Sequence, residues 1–366
     1  MSWNQTFPLT LVTGGRGFLG NNLVRLLLER GAAVRTLESP ADDERPLAGL
    51  DVERHRGDLC DPDVARRACE GVACVLHTAG KVHVGWQEQA EQWRINVVGA
   101  QNIATAAREA GARMVHVSSV NALGRGTREA PADEDSPWSH ELDNPYIVTK
   151  REGDQEVLRQ VALGLDARIV NPVYMFGPWD WKPSSGRMIL KVAGHPLLAA
   201  PPGSNDFCDV RDVARGILAA AEHGQTARRY ILGGEPLSYQ EVWQIIAGVT
   251  GGGTVLRLPG PWMTLLLGVG GTLWGEITGH EPDVNCATAQ AVVLEHHYSY
   301  ARAARELGFA PRPARVAIEA AWQWFIEYGY AEQAQKKEPD GATSPFAEGV
   351  EALTRFARGL SSDAKS

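Results

Sequence analysis

The sequence predicts an α/β fold: a doubly wound parallel sheet with a smaller, interleaved C-terminal lobe. Through the first half of the chain, short runs rich in Val and Leu alternate with amphipathic helical segments. This alternation is typical of parallel strands that are covered by helices on both faces. The predicted strands are Leu9–Thr13, Val34–Glu38, Val72–His77, Met114–Ser118 and Ala167–Val170. The predicted helices are Asn21–Arg30, Pro62–Glu70, Ala90–Ala110 and Pro145–Ala162.

After residue 171 the pattern is less regular, because frequent glycine and proline residues indicate loops and short elements. We expect residues 1–170 to form the first domain, with 205–235 returning to it, and residues 171–204 and 236–330 to form the smaller lobe. The remaining residues, 331–366, are predicted to be a polar linker and a last helix. The further predicted elements are the helices Val210–Glu222, Tyr239–Val249, Ala314–Tyr328 and Phe346–Leu360 and the strand Arg229–Leu232.

Composition excludes several classes of protein. Apolar residues make up 44% of the 366 residues and charged residues 22%, which is typical of globular proteins. The net charge is −8 and no basic tract is present, so we expect no nucleic-acid partner. The five cysteines show no metal-ligand spacing, and the N-terminus does not resemble a signal peptide. We therefore expect reduced thiols, no metal site and a cytoplasmic location.

One uncharged stretch, residues 258–275, approaches the length needed to cross a membrane. Five glycines and two prolines interrupt it, and basic residues do not cluster beside it. We expect a buried helix, a substrate lid or an oligomer contact, and no transmembrane segment. Weak contact with a membrane surface is the minor alternative.

The loop between the first strand and the first helix has the sequence Thr13-Gly14-Gly15-Arg16-Gly17-Phe18-Leu19-Gly20. Glycines at these positions permit a tight turn and a close approach of backbone amides to a pyrophosphate at the helix N-terminus. A preceding strand and a following helix are the context that this motif requires. The loop therefore predicts a Rossmann-type dinucleotide site in the first domain.

The choice of dinucleotide depends on Glu38, which ends the second strand and follows Gly20 by 18 positions. A carboxylate there can accept hydrogen bonds from the adenosine ribose and repels the 2′-phosphate of NADP. Arg16 and Arg35 are the opposing observation, since either side chain could contact a phosphate. We expect NAD, with NADP as the alternative.

Two residues on a predicted helix, Tyr146 and Lys150, are four positions apart and so share one face. A nearby ammonium, together with an oxidised nicotinamide ring, would lower the pKa of the phenol from its usual value of about 10. Tyr146 could then transfer the proton of a substrate hydroxyl or carbonyl. Ser118 and Ser119 follow another strand at the edge where such sheets bind ligands.

Together these motifs resemble the extended short-chain dehydrogenase/reductase family, over about Leu9 to Gly329. The glycine loop resembles that family's cofactor loop, and Tyr146 with Lys150 resembles its YxxxK pair. Ser119, counted back from Gly124, is the serine that matches the family's catalytic serine. Further similar segments are Gly57-Asp58-Leu59, His77-Thr78-Ala79-Gly80, Asn96-Val97-Val98-Gly99-Ala100-Gln101-Asn102, Asn171-Pro172 and Asp212-Val213-Ala214.

The resemblance implies roles for individual residues. The implied catalytic residues are Ser119, Tyr146, Lys150 and Asn96, the last through a water relay. The implied cofactor-binding residues are Gly14, Gly15, Arg16, Gly17, Phe18, Leu19, Glu38, Asp58, Leu59, Thr78, Ala79, Gly80, Val117, Ser118, Tyr146, Lys150, Pro172 and Val173. Candidate substrate-binding residues are Lys81, His83, Trp86, Asn121, Tyr174, Met175 and Trp179. The resemblance also implies a homodimer formed by the helices 90–110 and 145–162.

Within the family, the chain is most similar to the 3β-hydroxysteroid dehydrogenase and dihydroflavonol reductase branch. The similar segments are Cys74-Val75-Leu76-His77-Thr78-Ala79, His116-Val117-Ser118-Ser119-Val120 and Arg305-Glu306-Leu307-Gly308-Phe309. This similarity implies interconversion of a secondary alcohol and a ketone on a small molecule. Apolar and aromatic residues between Tyr174 and Phe207 favour a lipophilic substrate over a sugar nucleotide, although several of them must belong to the core of the lobe.

Two other functions remain open. Many family members have Arg at the position of Asn171, whereas some nucleotide-sugar epimerases resemble this chain there, so an epimerase with tightly bound NAD is the main alternative. A non-catalytic NAD(P)-binding protein is the weaker one, because such relatives usually lose the tyrosine or the lysine. Val120 and Asn121 follow Ser119 where dehydratases have an Asp-Glu pair, which disfavours dehydration.

Overall fold

The computed structural model describes residues 9–40, 43–138, 144–278, 282 and 284–332. Its strands are β1 (Thr10–Thr13), β2 (Val34–Glu38), β3 (Glu53–Arg56), β4 (Cys74–His77), β5 (Arg113–Val117), β6 (Ala167–Pro172), β7 (Tyr174–Phe176), β8 (Leu197–Ala200), β9 (Ser204–Asp209), β10 (Arg229–Leu232), β11 (Glu235–Ser238), β12 (Thr254–Arg257) and β13 (Glu295–His296). Its α-helices are α1 (Phe18–Glu29), α2 (Pro62–Cys69), α3 (Gln89–Trp93), α4 (Ala100–Glu109), α5 (Pro145–Ala162), α6 (Arg187–Val192), α7 (Val210–His223), α8 (Tyr239–Thr250), α9 (Pro261–Thr278), α10 (Cys286–Val293), α11 (Ala301–Leu307) and α12 (Ala314–Glu327).

A seven-stranded sheet forms the centre of the first half, in the order β10-β6-β5-β4-β1-β2-β3. All six neighbouring pairs are parallel. From β1 the chain adds strands on one side, and from β4 it adds them on the other, so the order reverses between β1 and β4. The prediction of a doubly wound parallel sheet is confirmed. The reversal point is where such sheets bind ligands.

Alternating side chains of the strands fill two cores, one on each face of the sheet. Leu11, Val75 and Met114 pack on the face covered by α2, α4 and α5. Val12 and Leu76 pack on the opposite face, which α1 and α7 cover. The central strands β1 and β4 are buried on both faces, which accounts for the Val and Leu residues at their centres.

A second sheet follows β6. Strands β7, β11 and β13 all pair with β9, and β8 pairs with β12. Phe176, Phe207 and Phe325 are fully buried in the core between these strands and helices α8 and α12. The chain returns to the large sheet with α7 and β10. The division into a dinucleotide-binding domain and a substrate-binding lobe remains a prediction, and the predicted helix Phe346–Leu360 lies outside the described residues.

The predicted helix Ala90–Ala110 is interrupted. It consists of α3, a π-helical segment Arg94–Gly99 and α4. This segment runs close to α5, where an ideal Cβ on Gly153 would lie only 2.3 Å from the backbone oxygen of Asn96. A tight contact between helices and a polar anchor at Asn96 are tertiary features, so the 3.6-residue periodicity of the sequence does not predict them.

The uncharged segment forms helix α9, which has two different faces. The inner face carries Gly268 and Gly271, whose ideal Cβ atoms would lie 2.4 Å from the Ala289 Cβ and 1.7 Å from the Val284 oxygen. The outer face exposes large apolar side chains: Trp262, Leu265, Leu266, Val269, Leu273, Trp274 and Ile277. The expectation of a buried helix is therefore wrong for this face, since glycines rather than bulky residues make the inward contact. Among the described helices, none combines the length and apolarity needed to cross a bilayer.

The Gly153 contact predicts a position that does not tolerate a side chain. The Gly153→Ala substitution should lower the free energy of unfolding by about 1–3 kcal/mol, because the methyl group meets backbone that cannot move aside. Gly248→Ala on α8 is the control, since an ideal Cβ there meets nothing within 4 Å. That change should stabilise the protein by up to about 1 kcal/mol through helix propensity. Denaturant unfolding of both variants tests the contact, and equal stability of the two would contradict it.

Candidate active site

The glycine turn between β1 and α1 lies against the end of β4. Gly14 has φ +69°, and its ideal Cβ would lie 2.8 Å from the Cα of Ala79. An ideal Cβ on Gly20 would lie 2.2 Å from the oxygen of Gly14. Gly17 begins α1 without a side-chain cap, so the amides of the first turn remain available to an anion. The turn therefore fits the pyrophosphate of a dinucleotide, as the sequence predicts.

Hydrogen bonds that Thr13 accepts hold this turn to the end of β4. The Thr13 hydroxyl accepts a hydrogen bond from the amide of Ala79 at 3.2 Å. The Thr78 hydroxyl donates to the backbone oxygen of Thr13 at 2.7 Å. The predicted cofactor residues Thr78 and Ala79 therefore lie directly beside the glycine turn.

At the end of β2, the carboxylate of Glu38 is fully buried and surrounded by donors. It accepts a hydrogen bond from Thr36 at 2.6 Å, and one of its oxygens lies 2.7 Å from a guanidinium nitrogen of Arg54. Arg16 forms a further ion pair with it, and Glu44 pairs with both arginines. Sequence reasoning found Glu38 and Arg16 but missed Arg54, which lies on the charged edge strand β3.

Arg35, which the sequence offered as a possible phosphate contact, binds groups of the protein instead. Arg35 donates hydrogen bonds to the backbone oxygens of Ala68 and Glu70, at 2.9 and 2.6 Å, and pairs with Glu53 at 3.0 Å. These contacts satisfy the carbonyl groups at the end of α2. The alternation of side chains along β2 explains the difference, because Arg35 and Glu38 project from opposite faces of the strand.

Asp58 and Leu59 follow β3. Asp58 accepts a hydrogen bond from the amide of Cys60 at 2.9 Å and pairs with Arg94 at 2.5 Å. Burial raises the pKa of Asp58, but the hydrogen bonds from Cys60 and Arg94 outweigh it and leave the pKa below its usual value. Leu59 packs against Gly99, where an ideal Cβ would lie 1.9 Å from the leucine methyl carbon.

Ser119, Tyr146 and Lys150 converge beyond the end of β5. Lys150 donates a hydrogen bond from Nζ to the backbone oxygen of Val117 at 2.8 Å. The hydroxyl groups of Tyr146 and Ser119 interact, and the Ser119 hydroxyl also accepts a hydrogen bond from the amide of Asn121 at 3.2 Å. The three side chains are buried. Of the two serines, Ser119 is thus the one that meets the phenol.

Ser118 adjoins this group, and its hydroxyl is buried without a hydrogen-bond partner among the described residues. A buried hydroxyl in this condition favours a ligand that supplies the missing partner. This observation supports the prediction that Ser118 lies at the cofactor. Pro172 and Val173 end the neighbouring strand β6, where Val173 donates to the backbone oxygen of Leu232 at 3.2 Å.

Burial dominates the electrostatics of the pair. It raises the pKa of Tyr146, and the contact with Ser119 lowers it only in part. Burial lowers the pKa of Lys150 to about 8, although the carboxylate of Asp154 opposes this shift. The expected lowering of the Tyr146 pKa is therefore not a property of the protein alone. A positive nicotinamide ring is needed to produce it.

Asn96 is close to this group, but its side chain is fully engaged. Its amide oxygen accepts a hydrogen bond from the backbone of Lys81 at 2.8 Å. Its amide nitrogen donates to the Lys81 oxygen at 3.0 Å and to the Thr149 hydroxyl at 3.1 Å. The side chain thereby holds the loop after β4 in place, including Gly80. A water relay through this amide would require one of these bonds to break.

Asn171 is fully buried on β6, and its amide donates to the backbone oxygen of Ser119 at 2.7 Å. The side chain therefore supports Ser119 from behind. The amide oxygen of Asn171 is buried without a hydrogen-bond partner among the described residues, so the contact with a sugar diphosphate that the epimerase alternative implies stays a prediction.

The candidate substrate residues fall into two groups. Lys81, His83 and Trp86 lie on the loop after β4. Lys81 forms an ion pair with Glu88 at 2.8 Å, His83 lies 3.9 Å from the same carboxylate, and Trp86 is 56% exposed. Asn121 lies next to Ser119 and is half-buried. Asn121 contacts the Ser119 hydroxyl and Lys81 contacts Asn96, whereas the substrate contacts of His83 and Trp86 stay predictions.

The second group belongs to cores rather than to an open surface. Tyr174 packs on Phe176 and Phe207, and Met175 packs against the core beside α1 and α7. Trp179 adopts φ +70° and packs on Trp181 and Trp324, with the guanidinium of Arg25 stacked 3.4 Å from the centre of its ring. The apolar run between Tyr174 and Phe207 is thus largely lobe core, so the predicted apolar lining is wrong for its buried members Phe176, Ile189 and Leu198.

Residues 10–233 match the family model described as the NAD dependent epimerase/dehydratase family. The chain belongs to this family. It is 36% identical over 324 residues to sterol demethylase protein B of Methylococcus capsulatus, covering 87% of this chain and 99% of that protein. It is also 36% identical over 345 residues to a putative dihydroflavonol 4-reductase of Synechocystis, covering 90% and 97%.

A solved structure supports the same assignment. The crystal structure of gox2253 is 34% identical, covers 88% of this chain and 99% of its own, and superposes with a TM-score of 0.76. The predicted resemblance to extended short-chain dehydrogenases/reductases is confirmed. The NAD dependent epimerase/dehydratase family member described here is therefore an NAD(P)-dependent enzyme of the short-chain type.

The supporting role of Asn171 predicts a loss of stability. Asn171→Ala should lower the free energy of unfolding by about 0.5–1.5 kcal/mol, because the backbone oxygen of Ser119 loses one of its two hydrogen bonds and keeps the one from the amide of Ala122. Asn102→Ala is the control, since that amide makes a longer bond of 3.3 Å from a half-buried position. Denaturant unfolding measures both variants. If Asn171 instead contacts a ligand, its substitution should leave the stability of the free protein nearly unchanged.

Proposed function

We propose that this family member interconverts a secondary alcohol and a ketone by hydride transfer with a nicotinamide dinucleotide. The proposal depends on the convergence of Ser119, Tyr146 and Lys150 beside the glycine turn. Side chains at Gly14 and Gly20 would collide with neighbouring backbone. A dinucleotide seated on that turn extends toward the carboxyl ends of β4 and β5, where the three side chains lie.

Each side chain has a distinct role in the proposed reaction. The bound dinucleotide supplies the hydride for reduction or accepts it in oxidation. Tyr146 donates its hydroxyl proton to the substrate oxygen as the ketone becomes an alcohol, and takes a proton from the alcohol in the reverse direction. Ser119 donates a hydrogen bond to the same oxygen. Lys150 stabilises the phenolate that remains on Tyr146.

A lipophilic substrate is the class that we propose. Helix α9 exposes an apolar face, and α10 connects this helix to the site. The α10 cap residue Asn285 donates to the backbone oxygen of Val84 at 3.0 Å, and Cys286 donates to the Thr272 hydroxyl of α9 at 2.9 Å. Val84 lies on the loop that begins at Gly80, so helix α9 is connected through α10 to the loop beside the site. Relatives named for sterol and dihydroflavonol chemistry favour the same class.

NAD is the proposed dinucleotide. Glu38 places a carboxylate at the strand end where the sequence predicts the ribose contact, and this disfavours a 2′-phosphate. Arg16 and Arg54 offset part of its charge, as their ion pairs show. We therefore expect NADP to bind more weakly than NAD.

Three further predictions from the sequence are retained as proposals. A homodimer through α3, α4 and α5 is supported by the exposed apolar side chains of Trp93 and Val148 on two of these helices. A cytoplasmic location and weak contact of residues 258–275 with a membrane surface are the others. Size-exclusion chromatography with light scattering tests the dimer, and flotation with neutral lipid vesicles tests the membrane contact.

Removal of the Tyr146 hydroxyl should abolish the reaction. Tyr146→Phe should lower kcat by about 10²- to 10⁴-fold, the usual contribution of a general acid or base. Binding of NADH should change little, because the ring and Lys150 remain. The measurement is NADH consumption with a panel of lipophilic ketones, together with fluorescence titration of NADH. A fully active variant would remove Tyr146 from the mechanism, and sugar-nucleotide conversion with retained NAD and no net redox would indicate an epimerase.

The charge of Glu38 should set the preference for NAD. In Glu38→Gln, Arg16 and Arg54 lose their buried partner, so NADPH should gain affinity relative to NADH by on the order of tenfold. Glu53→Gln is the control, because Glu53 pairs with Arg35 away from the glycine turn. Fluorescence titrations of both nucleotides require no substrate. An unchanged ratio of affinities in Glu38→Gln would contradict the proposed role.

A further inference from the structure

Asp154 is a buried carboxylate that the proposed reaction does not use. It follows Lys150 by one turn of α5 and is 0% exposed. Its two oxygens face different strands of the large sheet. One lies 3.2 Å from Nε2 of His116 on β5, and the other forms an ion pair with Arg229 on β10. Complete burial with partners on two strands indicates that the carboxylate is held in one place.

The charge state of this carboxylate follows from the same contacts. Burial raises the pKa of Asp154, but His116 and Arg229 outweigh it and hold the pKa at about 2. Asp154 is therefore negatively charged at neutral pH. Removal of one member of such a buried pair leaves the other charge uncompensated, which makes the arrangement sensitive to substitution.

Two histidines complete the surroundings of Lys150. The rings of His77 and His116 stack with their centres 5.3 Å apart. Nδ1 of His77 lies 2.7 Å from the hydroxyl of Thr13, which already accepts a hydrogen bond from Ala79. Nδ1 of His77 and this hydroxyl therefore share a hydrogen bond whose direction depends on the tautomer of His77. Burial, followed by the charges of His116 and Lys150, lowers the pKa of His77 well below its usual value.

The groups that face Lys150 can now be compared. On its own helix the charge of Asp154 acts on Lys150, and Tyr146 lies one turn before it. From the packed strands, His77 on β4 and His116 on β5 interact with Lys150. Burial also lowers the pKa of His116, against the opposing charge of Asp154. Among these described groups, Asp154 supplies the negative charge at neutral pH.

We propose that Asp154 is a positioning residue for the catalytic pair: clamped between His116 and Arg229, its carboxylate keeps the buried Lys150 in its ammonium form. The proposal rests on the proposed function for its catalytic meaning. Its electrostatic content concerns the protein alone.

Distance determines whether the charge of Asp154 acts more strongly on Lys150 or on Tyr146. Its negative charge opposes ionisation of Tyr146 and favours protonation of Lys150. Lys150 is four residues away, a rise of about 6 Å along the helix, whereas Tyr146 is eight residues away, a rise of about 12 Å. Because Coulomb energy falls with distance, the effect on the lysine is the larger one.

The test is a pH titration of Lys150 by NMR. The chain has seven lysines, so incorporation of lysine labelled with ¹³C at Cε gives a small set of signals, and Lys150→Arg assigns the one of interest. In the wild-type protein this signal should titrate with a midpoint of about 8. In Asp154→Asn the midpoint should fall by about one pH unit or more, as expected for the loss of an opposite charge nearby. Asp154→Glu should restore most of the shift.

Two further variants make the result decisive. Asp166→Asn is the matched control, because Asp166 also pairs with arginines, Arg113 and Arg168, but lies at the other end of the sheet. It should leave the Lys150 midpoint unchanged. Arg229→Gln removes the positive partner of Asp154 and should raise the midpoint, which provides a test of opposite sign if Asp154→Asn does not fold. An unchanged midpoint in Asp154→Asn, or a fall in Arg229→Gln, overturns the proposal.

The titration needs neither substrate nor cofactor, so its failure is distinct from failure of the proposed function. Where a reactive ketone is found, the pH profile of kcat gives an independent reading. Its alkaline limb should move to lower pH in Asp154→Asn and should not move in Asp166→Asn. A loss of rate without movement of this limb would assign Asp154 a purely structural role.

Discussion

Three contacts of Thr13 join the end of β1 to the end of β4. Its hydroxyl accepts from Ala79 and lies 2.7 Å from Nδ1 of His77, and its carbonyl accepts from Thr78. These contacts join the two strands between which the sheet order reverses. They hold the glycine turn so close to Ala79 that an ideal Cβ on Gly14 would lie 2.8 Å from the Ala79 Cα. The cradle for a pyrophosphate and the buried histidines beneath Lys150 therefore share one anchor.

Beyond Thr13, the site contains a buried ion pair and then the proposed catalytic side chains. Asp154 and Arg229 form a buried ion pair beside the sheet, Lys150 lies one helical turn from Asp154, and Tyr146 with Ser119 is where we propose that the substrate binds. Because burial raises the pKa of Tyr146 and lowers that of Lys150, the free protein favours a neutral phenol. The pair thus depends on an added positive charge before the tyrosine can act as a base, which couples proton transfer to occupation of the cofactor site.

Local patterns predicted the parts of this architecture that local physics determines. Strand ends, the glycine turn and the four-residue spacing of Tyr146 and Lys150 are each set by neighbours in sequence, and the structure places them together. The partners of Glu38 were only half predicted, because Arg54 lies on β3, whose charged sequence does not have the apolar pattern of a buried strand. Trp179 was expected at the substrate, but it packs among aromatic rings of α12. Its contact with Trp324 joins residues that are far apart in the chain. Asp154 could have been suspected from its place one turn beyond Lys150, but its two clamps come from strands that only the fold brings near.

The aromatic cluster has a consequence for the whole chain. Trp324 and Tyr328 at the end of α12 pack around Trp179, Arg25 of α1 stacks on that ring, and Asn22 of α1 binds the backbone oxygen of Pro178 at 3.0 Å. The last described helix, α12, therefore supports the first helix, α1, whose N-terminus lies at the glycine turn. The proposed nucleotide site therefore depends on contacts that form only when residues 324–328 have folded against Trp179 and Arg25.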